Sequence, residues 1–104
     1  MKNGFLLLLV MLIVTTVRSQ NLEFSKPERL GPEINSADEE LAPMLSPDGK
    51  TLYFSRAFHD QNKGGKYAGT DIWISRKDVN GNWTSAVNAG KPWNNKRSNV
   101  VIGI

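Results

Sequence analysis

The chain has 104 residues, no cysteine and a formal net charge of +3. The missing cysteine excludes a disulfide framework and the lipid-modified cysteine of a lipoprotein, so packing alone must hold the fold. Lys2 and Arg18 account for two of the 13 basic residues, and without them 11 bases face 10 acids; that near balance lacks the concentrated basic face that nucleic-acid binding demands.

The first predicted element is a leader. Behind Lys2, residues 5–14 read FLLLLVMLIV, an unbroken apolar run of ten. A membrane-spanning helix needs roughly 20 such residues, so this run matches the shorter apolar core of a secretory signal peptide. Val17-Arg18-Ser19 supplies the modest side chains a signal peptidase reads. Residues 1–19 are therefore expected to be removed, leaving residues 20–104 with no transmembrane segment, a mature chain of 85 residues.

After the leader the apolar pattern alternates with period two, so strands are expected and no long helix. Residues 22–29 read as the outermost strand of a preceding or ring-closing sheet. Residues 41–45 form a first strand, and Ser46-Pro47-Asp48-Gly49 a turn in which Pro presets φ, Asp bonds the backbone ahead and Gly accepts positive φ. TLYFSR at 51–56 is a second strand, followed by the long loop AFHDQNKGGKYAG at 57–69. TDIWISR at 70–76 is a third, rich in β-branched and aromatic side chains; Asn80-Gly81 signals a hairpin, and 83–87 is a fourth. Residues 99–104 read as the innermost strand of a following sheet.

Laid against itself at an offset of 59 residues, the chain repeats. Phe24-Ser25 falls on Trp83-Thr84, Leu30-Gly31 on Ala89-Gly90, Ile34-Asn35-Ser36 on Trp93-Asn94-Asn95, and Leu41 on Val100. A period in this range marks solenoids and propellers. In this register Leu45 falls on Ile104, and the repeat is expected to run on past that residue in a longer protein. The central strands are apolar on both faces, with Leu52 and Phe54 opposite Tyr53, and Ile72 and Ile74 opposite Trp73. Such a sheet needs a neighbour on either side.

LSPDGKTLYFSR at 45–56, GTDIWIS at 69–75 and GNWTSAVNAG at 81–90 together resemble the WD-like propeller repeat of TolB-like domains. With the flanking NSADEELAPMLSPDG, the chain looks more particularly like exported Bacteroidetes propellers, which are often joined to an OmpA-type peptidoglycan-binding domain. The resemblance implies an all-β fold: a β-propeller fragment with one complete four-stranded antiparallel blade at about 41–88, the start of the next blade at about 98–104, and parts of the adjacent blades. It also implies a periplasmic or outer-membrane-associated location in a Gram-negative cell.

In a blade of this kind the loop at 57–69 should lie at the same end as 35–40 and 94–99. Glu39, Glu40, His59, Asp60 and Arg97 are thus candidate binding residues on a polar surface for a protein, peptide or peptidoglycan-associated partner. His59, the one histidine, reads by itself as a solvated loop residue. No Gly-x-Ser-x-Gly elbow is present and His59 has no identifiable serine partner, so no catalytic residue is assigned. Asp78 to Asn82 offers alternate oxygens, but Gly81 is misplaced for an EF-hand and the hairpin explains it; no metal and no cofactor are expected. The serine, aspartate and glycine of 46–49 do not fit the spacing of a sialidase Asp-box, and Trp73 and Trp83 read as packing rather than sugar stacking. The reading is a non-catalytic binding or scaffolding propeller of the cell envelope. Its alternative is an accessory propeller of a peptidase-like hydrolase whose catalytic domain lies outside these residues.

Overall fold

The computed structural model describes residues 21–104; the signal-peptide assignment falls on residues outside that range. The described residues form one four-stranded antiparallel sheet in the order β1 (Glu39–Leu45), β2 (Thr51–Ala57), β3 (Asp71–Arg76), β4 (Val87–Asn88), and contain no helix. Consecutive strands are neighbours throughout. This up-and-down order follows from two tight connections and one longer one.

The first connection is the Ser46–Gly49 turn. Asp48 Oδ1 accepts from Ser46 Oγ at 2.6 Å and from the Lys50 N–H at 3.0 Å, Ser46 Oγ accepts the Thr51 N–H at 2.9 Å, and Gly49 takes φ +69°. Each residue type thus has a stated task in reversing the chain. The turn after β3 is built likewise. Asp78 Oδ1 accepts the N–H groups of Asn80 and Asn82, both at 2.9 Å, and Gly81 sits at φ +84°.

β1 is an edge strand with a register break between Leu41 and Met44. Pro43, which has no N–H to give a ladder, lies in that break, and Ala42 adopts φ +48° to make it. β2 and β3 pair without interruption from Thr51↔Arg76 to Arg56↔Asp71. Phe54 faces Trp73 across the ladder, and with Leu52 and Ile34 they form the core cluster, onto which Trp83 and Ala86 pack. This is the Leu52 face. Tyr53, Ile72 and Ile74 occupy the opposite Tyr53 face, where Ile72 and Ile74 are buried.

The fourth strand is shorter than the alternation predicts. A single bridge joins Lys77 to Trp83, and the ladder resumes only at Val87. Between them the Ala86 N–H turns away from β3 and donates to the Glu33 carbonyl at 2.8 Å, so a tertiary contact replaces ladder pairing. Residues 22–29 and 99–104, expected as strands, carry no ladder. A strand exists only through its partner, and neither segment has one here.

The 59-residue repeat has a structural counterpart. Turns occupy 32–34 and 91–93, and bends 37–38 and 96–97. The Asn35 N–H donates to Gly31 O at 3.0 Å and the Asn94 N–H to Gly90 O at 2.8 Å. The Asp38 N–H donates to Ser36 Oγ at 3.0 Å, and the Arg97 N–H to Asn95 Oδ1 at 2.8 Å. The two loops, 31–40 and 90–99, share these turns and bonds, although Gly90 takes φ +65° and the Lys91–Pro92 bond is cis in the second alone, and they sit on opposite faces. Ile34 of the first is buried on the Leu52 face. In the second, Trp93 packs against Tyr53 with ring centroids 6.3 Å apart and planes tilted by 30°, and Asn99 O accepts from Ser55 Oγ at 2.9 Å.

Candidate functional site

The end of the sheet where β2 leaves and β3 enters gathers the polar residues. Arg56, next to last in β2, is the first anchor. Its Nε donates to Glu40 Oε1 at 2.9 Å, its Nη2 to Ile34 O at 2.7 Å, and its guanidinium carbon lies 4.3 Å from the Trp73 ring centroid. The Arg56 and Glu40 side chains are only 6% and 16% exposed, so solvent screens this pair little. Glu40 also accepts the Ser36 N–H at 3.0 Å. The Arg56–Glu40 pair spans β1 and β2, and through Ser36 and the Ile34 carbonyl it holds the preceding loop to the sheet.

Asn62 is the second anchor. Its Nδ2 donates to Arg56 O at 2.8 Å and Gly69 O at 3.2 Å, closing the two ends of the 58–70 loop, while its Oδ1 accepts the Trp73 Nε1–H at 3.0 Å. The third is Asp71, 1% exposed, whose Oδ2 accepts the Lys63 N–H at 2.6 Å and Asn88 Nδ2 at 2.7 Å. Asn99 Nδ2 approaches Asp71 Oδ1 at 3.4 Å. Among the described residues no buried polar side-chain atom lacks a partner. These groups are committed to one another and hold the loop in shape.

Against this frame the five sequence-predicted residues separate. Glu40 is absorbed into the Arg56 pair and positions a loop. Glu39 is exposed and pairs by backbone with Ala57, where the 58–70 loop begins. Asp60 and Arg97 are exposed. Arg97 lies beside the loop, since a Cβ built on Gly69 would meet the Arg97 carbonyl carbon at 3.2 Å and the Ser98 N at 2.9 Å. His59 is not simply solvated. Its ring is half-buried and meets Trp73 edge-on at 4.6 Å, and Nδ1 accepts the Gln61 N–H at 3.2 Å. The reason is the Asn62 anchor, which draws the start of the loop over the indole.

The structure thus brings segments 39–40, 58–70 and 95–99 to one end, with Glu39, Asp60 and Arg97 as the outward-facing members. No hydrogen bond or ion pair joins these three to one another among the described residues. Two further aromatic residues join the rim: Phe58 at φ +55° and Tyr67, 85% exposed, meet edge-on at 6.5 Å. With Lys66, Gly69 and Thr70 they line a cleft of about 180 Å³. A bulky residue held at positive φ costs about 1–3 kcal/mol, so its surroundings must enforce it.

Sequence reasoning missed Arg56, Asn62, Asp71, Asn94 and Asn99, the residues that build the end. The recurrence of asparagine at 35 and 94 was the one available signal, because a repeated amide implies a repeated backbone contact. Among the described residues no group of three or more His, Asp or Glu side chains converges as a metal site would require, and no helix is long and apolar enough to cross a membrane. Compared with protein-family models, curated proteins and solved structures, the chain matches none.

Proposed function

We propose that this chain is part of a stacked-repeat, propeller-type module of an exported envelope protein, and that it binds or scaffolds rather than catalyses. The observation that carries the reading is the pair of equivalent loops, 59 residues apart, on opposite faces of one sheet. A loop that packs on the Leu52 face of the sheet it enters, and on the Tyr53 face of the sheet it leaves, is the connector that stacks blades side by side. The cleft of about 230 Å³ on the Leu52 face, lined by Leu30, Ile34, Leu41, Leu52 and Phe54, is the apolar surface such a neighbour would cover. The end carrying Glu39, Asp60, Tyr67 and Arg97 then forms part of one rim of the ring, open to a protein, peptide or peptidoglycan-associated partner. The leader pattern at 1–19 supports export.

The test is a chain with one added 59-residue unit, made by following residues 1–88 with residues 30–104. Stacked repeats gain stability from each interface added. The extended chain should unfold in guanidinium as one cooperative transition, at a higher midpoint than the parent. Two independent transitions at the parent midpoint would refute stacking.

A further inference from the structure

Asn94 does something specific with its amide. Its Oδ1 accepts the Ile72 N–H at 2.8 Å and its Nδ2 donates to Ile72 O at 2.9 Å, so the side chain pairs with β3 as a neighbouring strand would. Beyond Asn88 the β4 ladder has ended, and only the Ala89 N–H follows, reaching the same Ile72 O at 2.9 Å. Asn94 therefore completes the open end of the β3 edge, and it is 3% exposed while doing so. Its Nδ2 also donates to Asn88 Oδ1 at 2.9 Å, which fixes the orientation of the amide.

Asn35 stands at the same position of the other loop, with the same backbone bond to the glycine four residues before it. Its amide has no such strand to hold. Nδ2 donates only to Leu30 O in its own loop, and Oδ1 takes no donor among the described residues. Two loops with the same turn and the same asparagine-to-glycine backbone bond, one with its amide on a strand edge and one with its amide on itself, differ in whether the strand is there.

We propose that Asn35 is a clasp for the third-strand edge of a second sheet of this same repeat, accepting one backbone N–H and donating to the C=O of the residue equivalent to Ile72. The inference rests on the stacking reading above and adds the residue that recognises the neighbour. The occupant is a repeat unit whose third strand is open at that position. A second whole copy of this chain does not qualify, because its Ile72 is already held by its own Asn94. Because the clasp reads only backbone groups, the partner is specified by strand geometry and by the apolar face beneath it, not by one side chain.

The extended chain described above tests this, since its internal loop places Asn35 opposite the Ile72 of the first sheet. In the parent chain, Asn94→Ala should lower the folding equilibrium constant at least about tenfold, because it leaves the buried Ile72 N–H without a partner, and Asn35→Ala should lower it less than about threefold. In the extended chain, Asn35→Ala confined to the internal loop should match the Asn94→Ala loss. It should also remove the hydrogen-exchange protection of the first Ile72 amide. If the internal Asn35→Ala stays as mild as in the parent and Ile72 stays protected, while the extended chain is still more stable, the clasp is wrong and stacking stands. An extended chain with no gain at all overturns both.

Discussion

Replacing Arg56 by methionine is the sharpest perturbation of the polar end of the sheet. Methionine keeps most of the apolar stem, so the change removes a charge and its hydrogen bonds rather than opening a large cavity. It strands Glu40, whose side chain is 16% exposed and would keep only its bonds to Ser36, and it leaves Ile34 O without the Arg56 Nη2 donor. The stacking of the guanidinium on Trp73 at 4.3 Å goes as well. Removing one member of a buried pair costs about 3–5 kcal/mol, against a total stability of roughly 5–15 kcal/mol for an ordinary domain. Glu40→Gln, which retains an acceptor, should cost about 1–2 kcal/mol. The double variant Arg56→Met with Glu40→Gln should cost less than the two single changes added together, because the stranded carboxylate has gone. Denaturant unfolding followed by tryptophan fluorescence reads all three, with Trp73 beneath the guanidinium as the reporter. A loss below about 1 kcal/mol for Arg56→Met is what an exposed ion pair gives. That result would mean that loop 31–40 is not seated on the Leu52 face and cannot connect this sheet to a preceding one.

Gly69 sits at φ +117°, and a Cβ there would meet the Ser98 N at 2.9 Å; Gly69→Ala should destabilise the chain by about 2 kcal/mol or more through backbone strain and contact, measured by the same unfolding assay. The Asp48 carboxyl is held below its ordinary value near 3.8, first by the Ser46 hydroxyl and then by the Lys50 N–H. Its contribution is therefore present above that ordinary value and is lost as pH falls through the lower folded value, so Asp48→Asn should flatten the acid side of the stability–pH curve, with little change in its shape at neutral pH. On the outward rim, Arg97→Glu and Asp60→Lys should weaken co-sedimentation with purified peptidoglycan sacculi, or move the site to another partner class if no binding is seen, while the unfolding midpoint stays within about 0.5 kcal/mol of the parent. Loss of stability in either variant would assign that residue to the frame with Glu40.

Local chemistry was legible without coordinates. Ser46, Asp48 and Gly49 complete their turn within a few residues, as do Asp78, Asn80 and Gly81, so residue type alone specifies the conformation. The alternation of Leu52, Tyr53 and Phe54 marked a strand with two apolar faces because side-chain direction in a strand follows from position. The grouping of 39–40, 58–70 and 95–99 at one end followed from strand order. What the sequence alone determined was therefore strand, turn and repeat.

The roles of individual residues at that end were decided only by tertiary structure. Glu40 reads as a free acid beside Glu39, yet it is spent on Arg56, 16 residues away, because the β1–β2 register sets the two opposite each other. His59 reads as solvated until Asn62 draws its loop onto Trp73. Asn35 and Asn94 hold the same position in two similar loops, and Asn94 is the one with a strand edge within reach. A side chain's work depends on which polar group lies within about 3 Å of it, and over such separations along the chain that is set by packing rather than by neighbouring residues.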